Sequence, residues 1–163
     1  MNPKLLIVTD LGVLKAYKLN TTPHGSLHLD RLETAVLHEA HCRSADRVTD
    51  LAGRRVAPTQ KSWGAPIADD HNLKLETKRR LIKKIAGHIE HLVTANRDCG
   101  VRLAAHREIN HLVLSLLPPA VRQRIETNLV LDLVLADERK LIKCFAPQML
   151  VNSRTNYESL ESH

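Results

Sequence analysis

The sequence predicts an α/β fold: a mixed central sheet that opens as an N-terminal antiparallel meander, with helices packed on it. Three observations carry this reading. Three apolar or alternating segments before residue 38 are separated only by turns, so they form consecutive strands. A long stretch after Asp69 repeats its apolar residues at helical spacing. A short apolar run after Gly100 then follows that helix, as the returning strand of a helix-linked pair does. At 163 residues the chain can bury a real core in one domain, 1–147, followed by a polar tail, 148–163, expected to fray.

Taken in order, Lys4 to Thr9 (KLLIVT) is a near-continuous apolar run, the pattern of a strand covered on both faces. Asp10-Leu11-Gly12 gives a turn. Val13 to Leu19 alternates, with Val13, Lys15, Tyr17 and Leu19 on one side and Leu14, Ala16 and Lys18 on the other. Pro23 and Gly25 mark a second turn. Leu27 to Leu37 is the third strand, with Leu27, Leu29 and Leu32 expected on one face. Asp69 or Asp70 is the expected N-cap of a long helix running to about Ala95. Its inner face reads Leu75, Leu81, Ile82, Ile85, Ala86, Ile89, Leu92 and Val93, and Gly100 is expected beside its C-cap. Val101 to Ala105 is the next strand. His106 to Leu117 is a helix with Ile109, Leu112, Val113, Leu116 and Leu117 inward. Pro118-Pro119 stops it, and a short helix follows from Ala120 to about Glu126. Asn128 to Leu135 (NLVLDLVL) fits either a strand or a helix, and Ala136 to Phe145 closes the fold as a helix.

Composition narrows the function classes. Aromatic residues supply only 2% of the chain, so Leu, Ile, Val and Ala must build the core. Twenty-four Lys and Arg against 18 Asp and Glu leave +6, which favours a polyanionic partner such as RNA. Three widely spaced cysteines, Cys42, Cys99 and Cys144, without a CxxC pair, point to reduced thiols and a cytoplasmic protein, not a disulfide framework. No run approaches the roughly 20 apolar residues of a membrane span, so no membrane partner is expected.

Four stretches invite a chemical reading. His38-Glu39-Ala40-His41-Cys42 resembles a metal site at first sight, but its spacing is not that of a zinc helix and no second cluster completes it. No metal or other cofactor is therefore expected. The charged segment around Asp46, Asp50 and Gly53 suits a tight turn, because Asp can accept from backbone amides ahead of it and Gly permits positive φ. Arg47, Arg54 and Arg55 could ring that turn as a solvated loop or as a phosphate-facing one. The loop that follows holds Lys61 and the only Trp, Trp63, either anchoring the loop or offering its ring for base stacking. Finally, Lys78, Arg79, Arg80, Lys83 and Lys84 cluster on the long helix with few acids beside them, as a cationic ridge that tracks phosphates would.

The segment Asp46-Arg47-Val48-Thr49-Asp50-Leu51-Ala52-Gly53-Arg54, with the helix register after Asp70 and the order of elements from Leu5 to Phe145, resembles the bacterial host attachment protein family. That family is related to the middle domain of eukaryotic and archaeal peptide chain release factors. The resemblance implies a release-factor-like α/β domain and a ribosome- or tRNA-linked ancestry. In release factors the loop before the long helix carries Gly-Gly-Gln. The corresponding stretch here, roughly Arg54 to His71, holds Thr59-Gln60-Lys61 and Trp63-Gly64-Ala65 instead. Gln60 thus lacks the preceding glycines. The family usually shows Ala-Pro after the short strand, whereas this chain has Ala105-His106-Arg107.

The sequence carries no nucleophile elbow, P-loop, dinucleotide fingerprint or metal quartet, so no catalytic residue and no small-molecule substrate are assigned. The first expectation is a non-catalytic basic protein associated with RNA or the ribosome, acting in translation or its stress regulation. It would bind through Arg47, Arg54, Arg55, Lys61, Trp63 and the helix cations. A second is a hydrolase of RNA or a tRNA ester working through the Gln60–His71 loop. A third is a protein–protein scaffold of the host-attachment type, which could be a homo-oligomer.

Overall fold

The computed structural model describes residues 3–23, 25–40 and 66–145, without the side chains of 66–71. Within them a five-stranded mixed sheet carries helices on both faces, as the α/β reading expects. The strands are β1 (Lys4–Thr9), β2 (Val13–Thr21), β3 (Leu27–Val36), β4 (Gly100–Ala105) and β5 (Ile125–Leu129), in spatial order β3-β2-β1-β4-β5. The meander β1-β2-β3 is antiparallel, while β4 lies parallel to β1 and β5 parallel to β4. The helices are α1 (Pro66–Ala95), α2 (Arg107–Leu116), α3 (Pro119–Gln123) and α4 (Glu138–Phe145), with a 3₁₀ turn at His38–Ala40.

Central position explains the apolar run of β1. It pairs on both edges, Lys4 with Leu19 and with Gly100, and helices cover both its faces, so Leu5 to Thr9 are all buried. Leu5, Ile7, Leu14, Ala16, Val101, Leu103 and Ala105 face α1 and α2 on the front. Leu6, Val8, Tyr17, Leu19, Leu29 and Ala104 face Leu133, Leu141 and Phe145 on the back.

Several elements depart from the sequence reading, each for a local reason. The β2–β3 register slips where Ala16 pairs with Glu33 but Tyr17 with Arg31. Leu32 is the extra residue of that bulge and is 44% exposed, so it does not join Leu27 and Leu29. Helix α1 starts at Pro66, a residue preorganised for a first turn, and not at Asp69 or Asp70. Leu75 is 43% exposed instead of inward, and the burial of this side of α1 starts at Thr77. In α2, Ile109 and Val113 are buried, as is Leu117 at its C-cap, whereas Leu112 and Leu116 point outward, because the helix lays a single i, i+4 stripe on the sheet.

The strand after α3 begins at Ile125 and ends at Leu129, so only the start of Asn128–Leu135 is strand and Leu135 is almost fully exposed. Asp137 accepts from the Lys140 amide at 3.2 Å, and α4 therefore opens at Glu138, not Ala136. Gly100 is the first residue of β4 and not a cap. A Cβ there would collide with the Glu126 carboxylate and Lys4 Nζ, which form an ion pair at 2.6 Å across the strand.

Candidate nucleic-acid interface

The cations of α1 are displayed because its other side is fixed. Ile82, Ile85, Ala86, Ile89, Leu92 and Val93 are buried in the layer that α1 shares with the sheet, and Leu81 is buried beside them, which sets the helix rotation. The C-terminal end is held as well. Helix α1 has no basic residue in its last turn. Arg124, at the start of the turn into β5, supplies the missing charge. Its guanidinium donates to the carbonyls of Val93 (2.6 Å), Asn96 (2.8 Å), Arg97 (2.7 Å) and Cys99 (2.9 Å), tying off the carbonyl-rich end of the helix.

With the rotation set, the five described cations of the predicted site fall into three places. Lys78 lies on the inner stripe, four residues before Ile82, and bonds Glu108 of α2 at 3.0 Å. That contact, as hydrogen bond and as charge, holds the Glu108 carboxyl below its usual range, with His106 adding to it. Arg80 and Lys84 form a row facing the 3₁₀ turn. Glu39 of that turn reaches both, Lys84 directly and Arg80 at 4.0 Å. The row continues to His88, 3.6 Å from Glu33 of β3. Arg79 and Lys83 form the third group, exposed and with no ion pair among the described residues.

Arg47, Arg54, Arg55, Lys61 and Trp63, together with Asp46, Asp50 and Gly53, lie outside the described residues, as do Gln60 and the His71 side chain. His41 and Cys42 of the possible metal cluster do too. Among the described residues no group of three or more His, Cys, Asp or Glu could hold a metal ion. No described helix is long and apolar enough to cross a membrane.

A second polar cluster sits where the parallel strands end. The chain leaves β4 toward the front face and leaves β5 toward the back, which makes this a topological switch point, the usual place for a ligand crevice. Here protein amides bridge it. Asn110 and Asn128 exchange amide hydrogen bonds at 2.9 Å in both directions, and Asn110 also reaches the Leu129 carbonyl at 3.5 Å. His106 accepts from the Glu108 amide through Nδ1 and caps α2. These groups satisfy one another, so the cluster bolts α2 to β5.

Sequence reasoning found the cations but not the acids that sort them. Glu39 and Glu108 lie 45 and 30 residues from their partners, a pairing only the fold reveals.

Comparison with known families places the chain. A family model described as "Protein required for attachment to host cells" matches residues 5–144. The chain belongs to this family. The match spans every strand and all four helices, apart from the terminal residues of β1 and α4. A search of curated proteins finds no match to this host-attachment family member.

Proposed function

We propose that this family member is a non-catalytic RNA-binding protein whose exposed α1 face contacts phosphates, with ribosomal particles as its target. One observation carries the reading: Arg79 and Lys83, one helical turn apart on a helix locked to the core, present their charges outward in a chain of net charge +6. A rigid display of this kind lowers the ordering cost of binding. Contacts to phosphates release counterions, so affinity falls steeply with salt. The release-factor resemblance of the sequence supports a translation-linked target over other polyanions.

Co-sedimentation of the protein with ribosomal particles on a sucrose gradient tests this. Migration with particles at low salt, lost at high salt and in R79E/K83E, is the expected result. Retention at the top of the gradient under every condition would end the ribosomal reading.

A second reading is favoured by the outward leucines of α2. Leu112 and Leu116, 43% and 51% exposed, form a small apolar strip one turn long, suited to a protein partner in a host-attachment-type role. Loss of partner capture in L112S/L116S, with R79E/K83E unaffected, would favour it over RNA binding.

A further inference from the structure

We infer that Glu39 is a built-in competitor for the cationic face of α1, an acidic side chain lying where a phosphate would otherwise sit. The inference rests on the RNA reading above and concerns regulation of the same face. Arg79, Arg80, Lys83 and Lys84 on the outward side of α1 are chemically alike but differently engaged. Arg79 and Lys83 have no acid against them among the described residues. Arg80 and Lys84 share one carboxylate, with Lys84 Nζ on Glu39 Oε1 and Arg80 Nη1 4.0 Å from Glu39 Oε2. One carboxylate bridging a guanidinium and an ammonium copies the contact that a phosphate makes with the same pair.

The backbone delivers this acid to the helix. The 3₁₀ turn His38–Ala40 follows directly on β3, which pairs along its length with β2. The Leu37 amide donates to the Gly12 carbonyl at 2.7 Å, and the Ala40 amide donates to the Leu37 carbonyl at 3.0 Å. The turn packs against α1, so Glu39 is held at the helix flank and not merely drawn to it by charge. The side chains are still half open to water, with Glu39 at 39%, Lys84 at 46% and Arg80 at 56% exposure. Ion pairs this exposed are weak and readily exchanged. The contact therefore divides the face into an open half and a half that a polyanion must win from Glu39. A strand that reaches only Arg79 and Lys83 is held loosely. One long enough to displace Glu39 gains two further contacts, which biases the site toward extended chains of phosphates over isolated ones.

The test uses the full-length protein and a fluorescein-labelled uridine oligonucleotide, with anisotropy titrations between about 50 and 200 mM salt. Four proteins are compared: wild type, E39Q, R79Q/K83Q and the charge-matched control E138Q, which alters an exposed residue of α4. The expected result is a threefold to tenfold gain in affinity for E39Q at low salt, with no gain for E138Q. The slope of log K against log salt should steepen by about 1.4, the value for two extra phosphates on a single strand. The gain should vanish when E39Q is placed in an R80Q/K84Q background, since the two changes act through one contact.

A second measurement avoids altering the turn. R80Q/K84Q alone should weaken binding less than R79Q/K83Q does, because its cations are already occupied. Equal affinity for E39Q and wild type, with R79Q/K83Q binding lost, would overturn the competitor role and leave the RNA reading standing. Absence of salt-dependent binding in both wild type and E39Q would overturn the RNA reading and this inference together.

Discussion

The two faces of the sheet are built to different depths. On the front, α1 and α2 cover β1, β2 and β4 with a continuous aliphatic layer in which Ile85, Ile89, Leu103 and Val113 are fully or almost fully buried. On the back, the eight-residue α4 and the turn holding Leu133 and Val134 are the main cover among the described residues. That face also carries polar groups, with the Lys4–Glu126 ion pair crossing Gly100 and Arg102 donating to the Phe145 carbonyl. The difference shows what each face is for. The front is a platform that fixes the rotation of α1 and hence which cations meet solvent. The back closes the core and bears less on the described cations of the candidate site.

Truncation on each face is the most direct way to break this comparison. Ile85 sits at the centre of the α1 stripe with no exposed surface. Ile85→Ala should cost about 4 kcal/mol, toward the upper end for such cavities, because the sheet cannot follow the lost atoms inward. Leu141→Ala on the back should cost about 2 kcal/mol, since a two-turn helix can settle toward the gap. Urea denaturation of the two variants reads the difference. Equal costs would mean that the back face is packed as rigidly as the front.

Arg124 tests whether the far end of the platform also needs pinning. Its four carbonyl contacts are charge-assisted and cannot all be replaced by water in place. Arg124→Ala should lose about 2–3 kcal/mol and fray α1 from Ala95 backward, seen as lost amide protection in hydrogen exchange. Protection unchanged over the last two turns of α1 would show that packing alone holds the helix end.

The sheet's meander, the long helix and the sign of the candidate surface were legible in the sequence because each depends on local pattern. Leu5 to Val8 of KLLIVT form an unbroken apolar run because β1 is central, and Leu81 to Val93 keep a helical stripe because one face is buried. What the pattern could not carry was anything set by a distant partner. The bulge that turns Leu32 outward depends on how β2 pairs with β3, not on either strand alone. Leu112 and Leu116 fit the apolar spacing of α2 yet stay about half exposed. The short strand Ile125–Leu129 is weakly apolar and exists because β4 offers it a parallel edge. At the site, a row of five cations looked uniform until Glu108 took Lys78 and Glu39 took Arg80 and Lys84.

The bolt between α2 and β5 is a smaller test of the front face. Asn110 is 5% exposed, while Asn128 keeps access to water and can resolvate when its partner is removed. Asn110→Ala should therefore cost only about 1 kcal/mol, near the value of one net hydrogen bond. A cost several times larger in urea denaturation would mean that the amide pair, and not the strand register, defines the position of β5.

The smallest expected effect concerns the contact that draws Lys78 away from the outward face. Hydrogen bonding and charge from Lys78 hold the Glu108 carboxyl below its ordinary range, with His106 contributing. A carboxyl with a depressed folded-state pKa binds its proton less readily folded than unfolded. Its contribution to stability is thus complete above the unfolded pKa and lost as pH falls through the folded one. The wild type should lose slightly more melting temperature than E108Q between neutral and acid pH, with the divergence confined to the carboxylate range. The pair is open to solvent, so salt should shrink the difference. K78Q should remove most of it, because the same ammonium supplies both the bond and the larger charge contribution, leaving only the smaller one from His106. Parallel melting curves for wild type and E108Q across that range would show that Lys78 is held by the fold of α1 alone. Glu108 would then play no part in sorting the cations of the helix.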